Sequence, residues 1–427
     1  MEPACMPFVT GLRCRQCGER YPTSAVHICD ICFAPLEVAF DERALRNNVS
    51  RRSIEAGPPS LWRYGALLPL ELAPTVGLAA GWTPLHRAHG LEQAWGCREI
   101  WLKDDTVCSP SLSYKDRVVS VAVNKALELG FTEMACGSRG NLGNSLAAHA
   151  ASAGLPCYVL VPADLDLSLL AGALVCGARV VRIRGSHVEV SRLCSEAAAN
   201  GDWAVVNLNL RPFYVEGAKT FAFEIAEQLG WRLPDHVVVP VGGGTLLRGM
   251  WRGFRQFISL GLVEPSPCRL HAAQALGCCP IVRAVHDGST VVRGVEPKTI
   301  ALNIAVGNPQ DGQSAVRAIR DSDGWAEAVS DEDILEAVGF LARAEGVWTG
   351  PAGASAVAVT RRLLEQKRIQ PQECVVIGVT GQGCVSSKAL AGRLEEPATI
   401  NPNMSDLRRF VQTEYELRDA WERLSTA

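Results

Sequence analysis

From about residue 98 onward, short apolar runs alternate with longer stretches in which apolar residues recur every three or four positions. The short runs, such as 99–102 and 236–241, predict strands because they are brief and bounded by polar residues, glycine or proline. The longer stretches predict helices, for example 113–129, which stops at Gly130. Strand–helix alternation with unbroken apolar strands predicts a parallel α/β sheet covered on both faces.

The same patterns divide the chain further. Residues 1–45 contain short apolar alternations around paired cysteines, and residues from about 46 to 80, rich in arginine, proline and glycine, are typical of a connector. Further strands are predicted at 157–161, 180–183, 204–206 and 374–379, and further helices at 141–153, 216–229, 246–258, 352–364 and 406–423.

Composition narrows the class of protein. The chain has 427 residues, which is enough for two or three domains, and its net charge is −3 with no basic run, which argues against nucleic-acid binding. No apolar stretch approaches the roughly 18 residues of a membrane span, and the N-terminus lacks a signal-peptide pattern. Most of the 16 cysteines are scattered singly in apolar segments, which is typical of a reducing compartment. We therefore expect a cytoplasmic protein with no nucleic-acid or membrane partner.

Four cysteines near the N-terminus form two Cys-x-x-Cys pairs separated by eleven residues: Cys14, Cys17, Cys29 and Cys32. This spacing can place four thiolates around one Zn²⁺ ion, and a fully protein-ligated site is structural because it leaves no open coordination position. His27 is a competing ligand. The alternatives are four unmetallated thiols and a ribbon that binds nucleic acid.

Three segments carry candidate chemistry. The first is Lys115, followed by Asp-Arg at the start of a predicted helix, where positive potential disfavours a further positive charge and suits a lysine that forms a Schiff base. The second is Ser138-Arg139-Gly140-Asn141 before a helix, which offers N–H groups to a carboxylate. The third is Gly242-Gly243-Gly244-Thr245 between a strand and a helix, a loop able to wrap a phosphate. Taken singly, the first can be a solvated charge and the third a tight turn.

Together and in this order, the three segments resemble the fold-type-II (tryptophan synthase β-like) pyridoxal-phosphate enzymes, and most of all the threonine synthases. The resemblance extends to Gly81-Trp-Thr-Pro-Leu-His, Leu102-Lys-Asp-Asp, Glu216-Gly-Ala-Lys-Thr, Thr299-Ile-Ala, Gly307-Asn-Pro, Val329-Ser-Asp-Glu and Val379-Thr380-Gly-Gln-Gly, and thus to nearly the whole chain. It implies a zinc ribbon at 1–45 followed by a catalytic body at 46–427. The body would consist of two three-layer α/β lobes with the cofactor in the cleft between them, and the smaller lobe would span about 128–212. A homodimer is implied by the resemblance alone.

The resemblance also assigns roles. It implies that Lys115 carries pyridoxal 5'-phosphate and moves substrate protons, and that Asn141 contacts the ring hydroxyl. Gly242, Gly243, Gly244 and Thr245 would hold the cofactor phosphate, and Thr380 would face the ring nitrogen without holding a proton on it, which favours elimination and replacement over transamination. The competing lysines, Lys103 and Lys219, are interpreted as structural.

Departures from the family pattern cluster around the substrate. The lysine motif reads Ser109-Pro-Ser-Leu-Ser-Tyr-Lys where the family has Asn-Pro-Thr-Gly-Ser-Phe-Lys. Ser138, Arg139, Gly140 and Tyr214 are the expected substrate residues, and two of them depart: Arg139 replaces a small hydroxyl residue and Tyr214 replaces an arginine. Leu142, Gly350 and Gln382 are the other changes. They predict altered substrate choice.

The sequence is compatible with three functions. The first is elimination or replacement of phosphate on an O-phosphorylated amino acid, either threonine formation from phosphohomoserine or β-replacement on phosphoserine or phosphothreonine. The second is a hydroxy-amino-acid dehydratase or ammonia-lyase, and the third is a non-catalytic relative whose ribbon binds a partner. The retained cofactor residues argue against the third.

Overall fold

The N-terminal cysteines lie in a three-stranded antiparallel sheet. The computed structural model describes residues 8–185, 187–201, 203–390 and 397–413. In it, β1 (Val9–Cys14) pairs with β2 (Arg20–Tyr21) on one side and with β3 (Leu36–Phe40) on the other. Leu12, Leu36 and Val38 are buried, so this small sheet has an apolar face.

The remaining elements alternate as the sequence predicts. In chain order they are α1 (Glu42–Asn48), α2 (Arg51–Glu55), β4 (Leu85–Arg87), α3 (His89–Trp95), β5 (Glu99–Asp104), α4 (Lys115–Glu128), β6 (Met134–Gly137), α5 (Asn141–Ser152), β7 (Cys157–Pro162), α6 (Ala171–Val175), β8 (Arg179–Ile183), α7 (His187–Ala199), β9 (Ala204–Val205), α8 (Arg211–Tyr214), α9 (Lys219–Gln228), β10 (His236–Pro240), α10 (Thr245–Ser259), β11 (Arg269–Ala275), α11 (Pro280–His286), α12 (Gly312–Asp321), β12 (Ala326–Val329), α13 (Asp331–Glu345), α14 (Pro351–Glu365) and β13 (Cys374–Val379). Short 3₁₀ helices lie at Leu61–Leu67, Asp105–Val107, Leu167–Leu170, Val215–Ala218, Leu302–Ile304 and Cys384–Leu390.

The larger sheet has six strands in the order β12-β11-β10-β13-β5-β4. Its strands run parallel except β4, which pairs antiparallel with β5 at the edge. In the central pair, His236 lies opposite Val375, and every residue of β10 and β13 is buried. The unbroken apolar runs thus mark strands covered on both faces, and the predicted α/β class is confirmed, with one antiparallel edge strand that the pattern did not indicate.

The smaller sheet has four parallel strands in the order β8-β7-β6-β9, drawn from residues 134–205. Helices α5 and α7 pack against it. The boundaries at 45, 128 and 212 stay predictions, and α1 runs across residue 45. None of the described helices is both long and apolar enough to cross a membrane.

The segment at 46–80, predicted as a connector, is more ordered than expected. It contains α2 and a 3₁₀ helix because Ile54, Leu61, Tyr64 and Leu67 are buried. The helix predicted at 216–229 begins as the 3₁₀ turn Val215–Ala218, where Gly217 lies against α4: a Cβ there would stand 2.3 Å from the carbonyl oxygen of Arg117.

The chain divides into two units, residues 1–389 and 390–427. In the second, the described residues include a helix at 404–413. The predicted helix at 406–423 overlaps it, and its part beyond residue 413 lies outside the described residues.

Candidate active site

A cavity of about 940 Å³ lies at the carboxyl end of β10, where α4, α5 and α10 begin. Three helix N-termini at one cavity favour anionic groups, because each contributes unpaired N–H groups and the positive end of a helix dipole. The cavity gathers every cofactor and substrate residue predicted from sequence: Lys115, Ser138, Arg139, Gly140, Asn141, Tyr214, Gly242, Gly243, Gly244, Thr245 and Thr380.

Lys115, the first residue of α4, is held by its two C-terminal neighbours. Asp116 accepts hydrogen bonds from Ser111 Oγ at 2.7 Å and from Ser145 Oγ at 2.6 Å. Burial raises the pKa of Asp116 to about 6, against the opposing effect of these hydroxyl groups. Arg117 is bound by a second set of buried partners, so the start of the helix beside Lys115 is anchored through both residues.

The partners of Arg117 form a buried network of two cations and two carboxylates. Its Nε and Nη2 atoms donate to Asp105 at 2.7 Å, and its Nη1 atom donates to Glu224 Oε1 at 2.5 Å. Lys103 Nζ lies 2.7 Å from Glu224 Oε2. Although burial opposes ionisation, the charges of Arg117 and Lys103 lower the pKa of Glu224 to about 2. The four charges balance inside the protein, which buried charges require.

The two competing lysines are occupied elsewhere. Lys103 has the partner just described, and Lys219 Nζ lies 2.7 Å from Glu216 Oε2 and donates to the carbonyl of Leu67 at 2.8 Å. Neither lines the cavity. Within the described residues, Lys115 is the only lysine that does, and its Nζ atom lies 3.4 Å from the hydroxyl of Tyr214.

Thr380 is brought to Lys115 by pairing between two loops. The N–H of Tyr114 donates to the carbonyl of Thr380 at 2.9 Å, and that of Gln382 donates to the carbonyl of Leu112 at 3.0 Å. Leu112 stands where the family motif has glycine, and its φ of 59° is in the left-handed region that glycine favours. Leu112 therefore holds, at the expense of local strain, a conformation that glycine would adopt freely.

The loop before α5 presents Arg139 to the cavity, and the first residue of that helix presents Asn141. The Ser138 hydroxyl is used within the loop, where it accepts from the N–H groups of Gly140 at 3.1 Å and Gly143 at 2.8 Å. No other described residue hydrogen-bonds the side-chain amide of Asn141, which lies against Gly381, or the guanidinium of Arg139. Burial lowers the pKa of Arg139 from its ordinary value, against the opposing charge of Asp164. Both groups are thus available to a ligand.

The glycine loop has the shape of a phosphate-binding turn. Gly244 has φ +92°, and a Cβ there would stand 2.8 Å from the carbonyl oxygen of Asp311, so only glycine fits. At Gly243 an added Cβ would meet no atom within 4 Å. Among the described residues, no acceptor binds the N–H groups of Gly243 and Gly244. Free N–H groups at the start of α10 fit the dianionic phosphate of a cofactor.

Two residues of this region were missed by sequence reasoning. Arg211 lines the cavity and donates through Nη2 to Asp311 Oδ2 at 2.5 Å. The same oxygen accepts from the hydroxyl of Thr245 at 3.0 Å. Although burial opposes ionisation, Arg211, Arg248 and Arg15 hold the pKa of Asp311 below its ordinary range. The only signal for Arg211 is its position one helical turn before Tyr214.

The four N-terminal cysteines meet in space. Their Sγ atoms all lie within 4.8 Å of one another, with Cys14 and Cys32 at 3.4 Å and Cys17 and Cys29 at 3.6 Å. Four sulfurs bound to zinc at about 2.3 Å stand about 3.8 Å apart, so the donor set fits a tetrahedral site. His27 is not part of the cluster.

Comparisons with known proteins agree with this geometry. A family model described as pyridoxal-phosphate dependent enzyme matches residues 76–381. Threonine synthases of Methanosarcina acetivorans and Methanocaldococcus jannaschii are each 36% identical to the chain over 403 residues, which covers 94% of this chain and 98% and 99% of theirs. A fungal L-serine ammonia-lyase from Rhizomucor miehei superposes with a TM-score of 0.62 at 19% identity, over 74% of this chain and 99% of that one, and shares the fold.

Proposed function

Because the chain belongs to the family of pyridoxal-phosphate-dependent enzymes, we propose that it catalyses elimination or replacement on an amino acid that carries an O-phosphate group. The resemblance to threonine synthases predicted from the motifs is confirmed by the relatives. The observation that carries the proposal is that one cavity holds Lys115, the glycine loop, Asn141 and Thr380 together with Arg139, a cation that no other described residue hydrogen-bonds.

Each of these cavity residues has a separate role in the proposed reaction. Bound pyridoxal phosphate supplies an aldehyde that a lysine can hold and a ring that accepts electrons from the substrate. Lys115 would hold it and, once released, carry protons to and from substrate carbon at Nζ, with the Tyr214 hydroxyl orienting that atom. The N–H groups of the glycine loop would bind the phosphate, Asn141 would donate to the ring hydroxyl, and Thr380 would lie against the ring nitrogen without a negative charge.

A structural zinc ion at Cys14, Cys17, Cys29 and Cys32 completes the proposal. The support is the distance between the four thiols and their position on two tight turns of the ribbon. Such a site contributes folding free energy to the ribbon and takes no part in the reaction.

The substrate choice we propose differs from that of a phosphohomoserine enzyme. Tyr214 and Leu142, which replace an arginine and a small hydroxyl residue of the family, both line the cavity. Loss of a charge-assisted bond worth about 1.5–3 kcal/mol lowers affinity for a distal phosphate about tenfold or more. Arg139 lines the same cavity, and a phosphate nearer the α-carbon suits it. Phosphoserine and phosphothreonine carry their phosphate one carbon closer than phosphohomoserine does.

The test is phosphate release from phosphohomoserine, phosphoserine and phosphothreonine by the wild type, Arg139→Ala and the control Arg192→Ala. Arg192 is exposed, pairs with Glu196 on α7 and lies outside the cavity. We expect higher kcat/KM for a β-phosphorylated substrate, and a loss of about tenfold or more in Arg139→Ala only.

Three other outcomes would contradict parts of this proposal. Efficient threonine formation from phosphohomoserine, unaffected by Arg139→Ala, would show that the pocket changes do not alter substrate choice. Turnover of unphosphorylated serine or threonine at the same rate as the phosphorylated substrates would indicate a dehydratase. A purified protein that binds no cofactor would indicate a non-catalytic relative.

A further inference from the structure

We propose that Arg15, inside the first Cys-x-x-Cys turn, is a positioning residue for the glycine loop, so that the ribbon supports binding of the cofactor phosphate. The inference rests on the proposed role of Gly242–Thr245. It gives the N-terminal segment a part in cofactor binding beyond a structural metal site.

The link runs through Asp311. Arg15 Nη1 donates to Asp311 Oδ1 at 3.1 Å and to Ser314 Oγ at 3.4 Å. The other carboxylate oxygen of Asp311 accepts from Thr245 Oγ1 at 3.0 Å. The backbone N–H of Asp311 donates to the carbonyl of Gly243 at 2.9 Å. Asp311 therefore touches the loop with its side chain and its backbone, while Arg15 holds the far side of the carboxylate.

Charge explains why such a link is needed. A carboxylate beside the loop repels a phosphate dianion, and Asp311 is buried, where the repulsion is weakly screened. Three guanidinium groups surround it: Arg211, Arg15 and Arg248, the last with Nη1 3.8 Å from Oδ1. The cluster is thus positive overall. Arg211 and Arg248 belong to α8 and α10, whereas Arg15 comes from the ribbon.

The ribbon is built to hold Arg15 in place. Its N–H donates to the carbonyl of Pro35 at 3.2 Å, and the next N–H, of Gln16, donates to Cys14 Sγ at 3.4 Å. The side chain of Arg15 is 15% exposed. Without it, the negative charge of Asp311 is less compensated, and of the described cations only Arg248, 3.8 Å away, remains beside Oδ1.

The experiment compares the Kd of pyridoxal phosphate with that of pyridoxal for the full chain freed of cofactor. Pyridoxal can react with Lys115 but has no phosphate, so the ratio of the two constants reports on the phosphate site. In Arg15→Gln we expect the Kd of pyridoxal phosphate to rise about tenfold, while that of pyridoxal stays unchanged. If Arg15 had a purely structural role, its loss would weaken the binding of both ligands to the same extent.

The matched control is Arg13→Gln, the same substitution two residues away, on β1 just before the turn that holds Arg15. Arg13 is 54% exposed and pairs with Glu37, and Asp311 is not among its partners. We expect wild-type constants for both ligands in this variant. Arg15→Lys, which keeps a positive charge near Asp311, should give an intermediate ratio and serves as the test if Arg15→Gln does not fold.

Two results separate this inference from the proposal it rests on. An unchanged ratio in Arg15→Gln or Arg15→Lys, with a lowered preference for pyridoxal phosphate in Thr245→Ala, would overturn the role of Arg15 and leave the glycine loop as the phosphate site. An unchanged ratio in Thr245→Ala as well would overturn both.

Discussion

Glu224→Gln should destabilise the protein strongly, although the substitution keeps the shape of the side chain. Glu224 accepts five hydrogen bonds, and its partners are arranged so that an amide nitrogen has no acceptable place. Its Oε1 faces Arg117 Nη1 at 2.5 Å and the N–H of Trp82 at 2.7 Å. Its Oε2 faces Lys103 Nζ at 2.7 Å, Arg117 Nη2 at 2.8 Å and the N–H of Thr83 at 3.2 Å. In either amide orientation, glutamine therefore points an NH₂ group at donors and leaves two cations with one carboxylate.

The size of the effect follows from the charges. Lowering the pKa of Glu224 from 4.5 to about 2 corresponds to about 3 kcal/mol of stabilisation at neutral pH. Breaking a buried ion pair by removing one partner costs about 3–5 kcal/mol. We therefore expect Glu224→Gln to lower the free energy of unfolding at pH 7 by about 3–5 kcal/mol.

Urea denaturation followed by tryptophan fluorescence measures this loss. The control is Glu196→Gln, the same chemical change in the exposed pair of Arg192 and Glu196, which should cost less than about 0.5 kcal/mol. Because the stabilising contribution of Glu224 is present above pH 4.5 and is lost as the pH falls toward 2, the difference between variant and wild type should shrink over that range. A variant at pH 7 as stable as Glu196→Gln would refute the reasoning.

Four further predictions concern single groups. Lys115→Ala should abolish turnover and remove the visible absorption of lysine-bound cofactor, and borohydride fixation of the cofactor to another lysine would contradict the assignment. Cys29→Ser should remove the single zinc found by elemental analysis and destabilise the ribbon, while the absorbance at saturating cofactor remains. Leu112→Gly should raise the free energy of unfolding by about 1 kcal/mol because it relieves a left-handed backbone, whereas Leu72→Gly, at an exposed residue without positive φ, should lower it. Burial lowers the pKa of His149 to about 4, although its hydrogen bond to the Ser145 carbonyl opposes this. As the pH falls, the unfolded chain therefore takes up the proton before the folded one does, and the free energy of unfolding should fall by up to about 3 kcal/mol between pH 6.5 and 4. This loss should be absent from His149→Gln.

The hydrophobic pattern predicted several elements with regularly spaced apolar residues, but not α13, which buries Ile334, Ala337, Val338 and Leu341 at helical spacing. Helix α4 was predicted from its apolar stripe, yet residues 116–126 are all buried, so the helix is covered on every side. Its end before Gly130, whose φ of 80° only glycine adopts easily, is readable from sequence. Strand β11 was missed because His271 and Gln274 interrupt its apolar run. Both are buried with protein partners: His271 Nε2 lies 2.9 Å from His236 Nδ1, and Gln274 donates to the carbonyl of Val241. A strand that satisfies polar side chains through its neighbours has no apolar signature.

The residues of the site also divide into those that local sequence signals and those that it does not. Lys115, Asn141 and the glycine loop were predictable because each stands at the start of a helix, where local sequence signals a turn. Arg211 and Arg15 were not, because their roles depend on Asp311, which is 100 and 296 residues away in the chain. A contact over such a separation leaves no trace in a single sequence, and a buried arginine is indistinguishable there from an exposed one.

Among the described residues, β13 is the last strand along the chain, yet it lies inside the larger sheet, between β10 and β5. During synthesis β5 emerges early, but it cannot pair with β10 across the gap that β13 will fill. The smaller sheet, whose strands all come from residues 134–205, has no such requirement and can form as soon as that segment has left the ribosome. The loop that brings Thr380 to Lys115 follows β13 directly, so the nascent chain acquires its cofactor pocket only after residue 380 has been made.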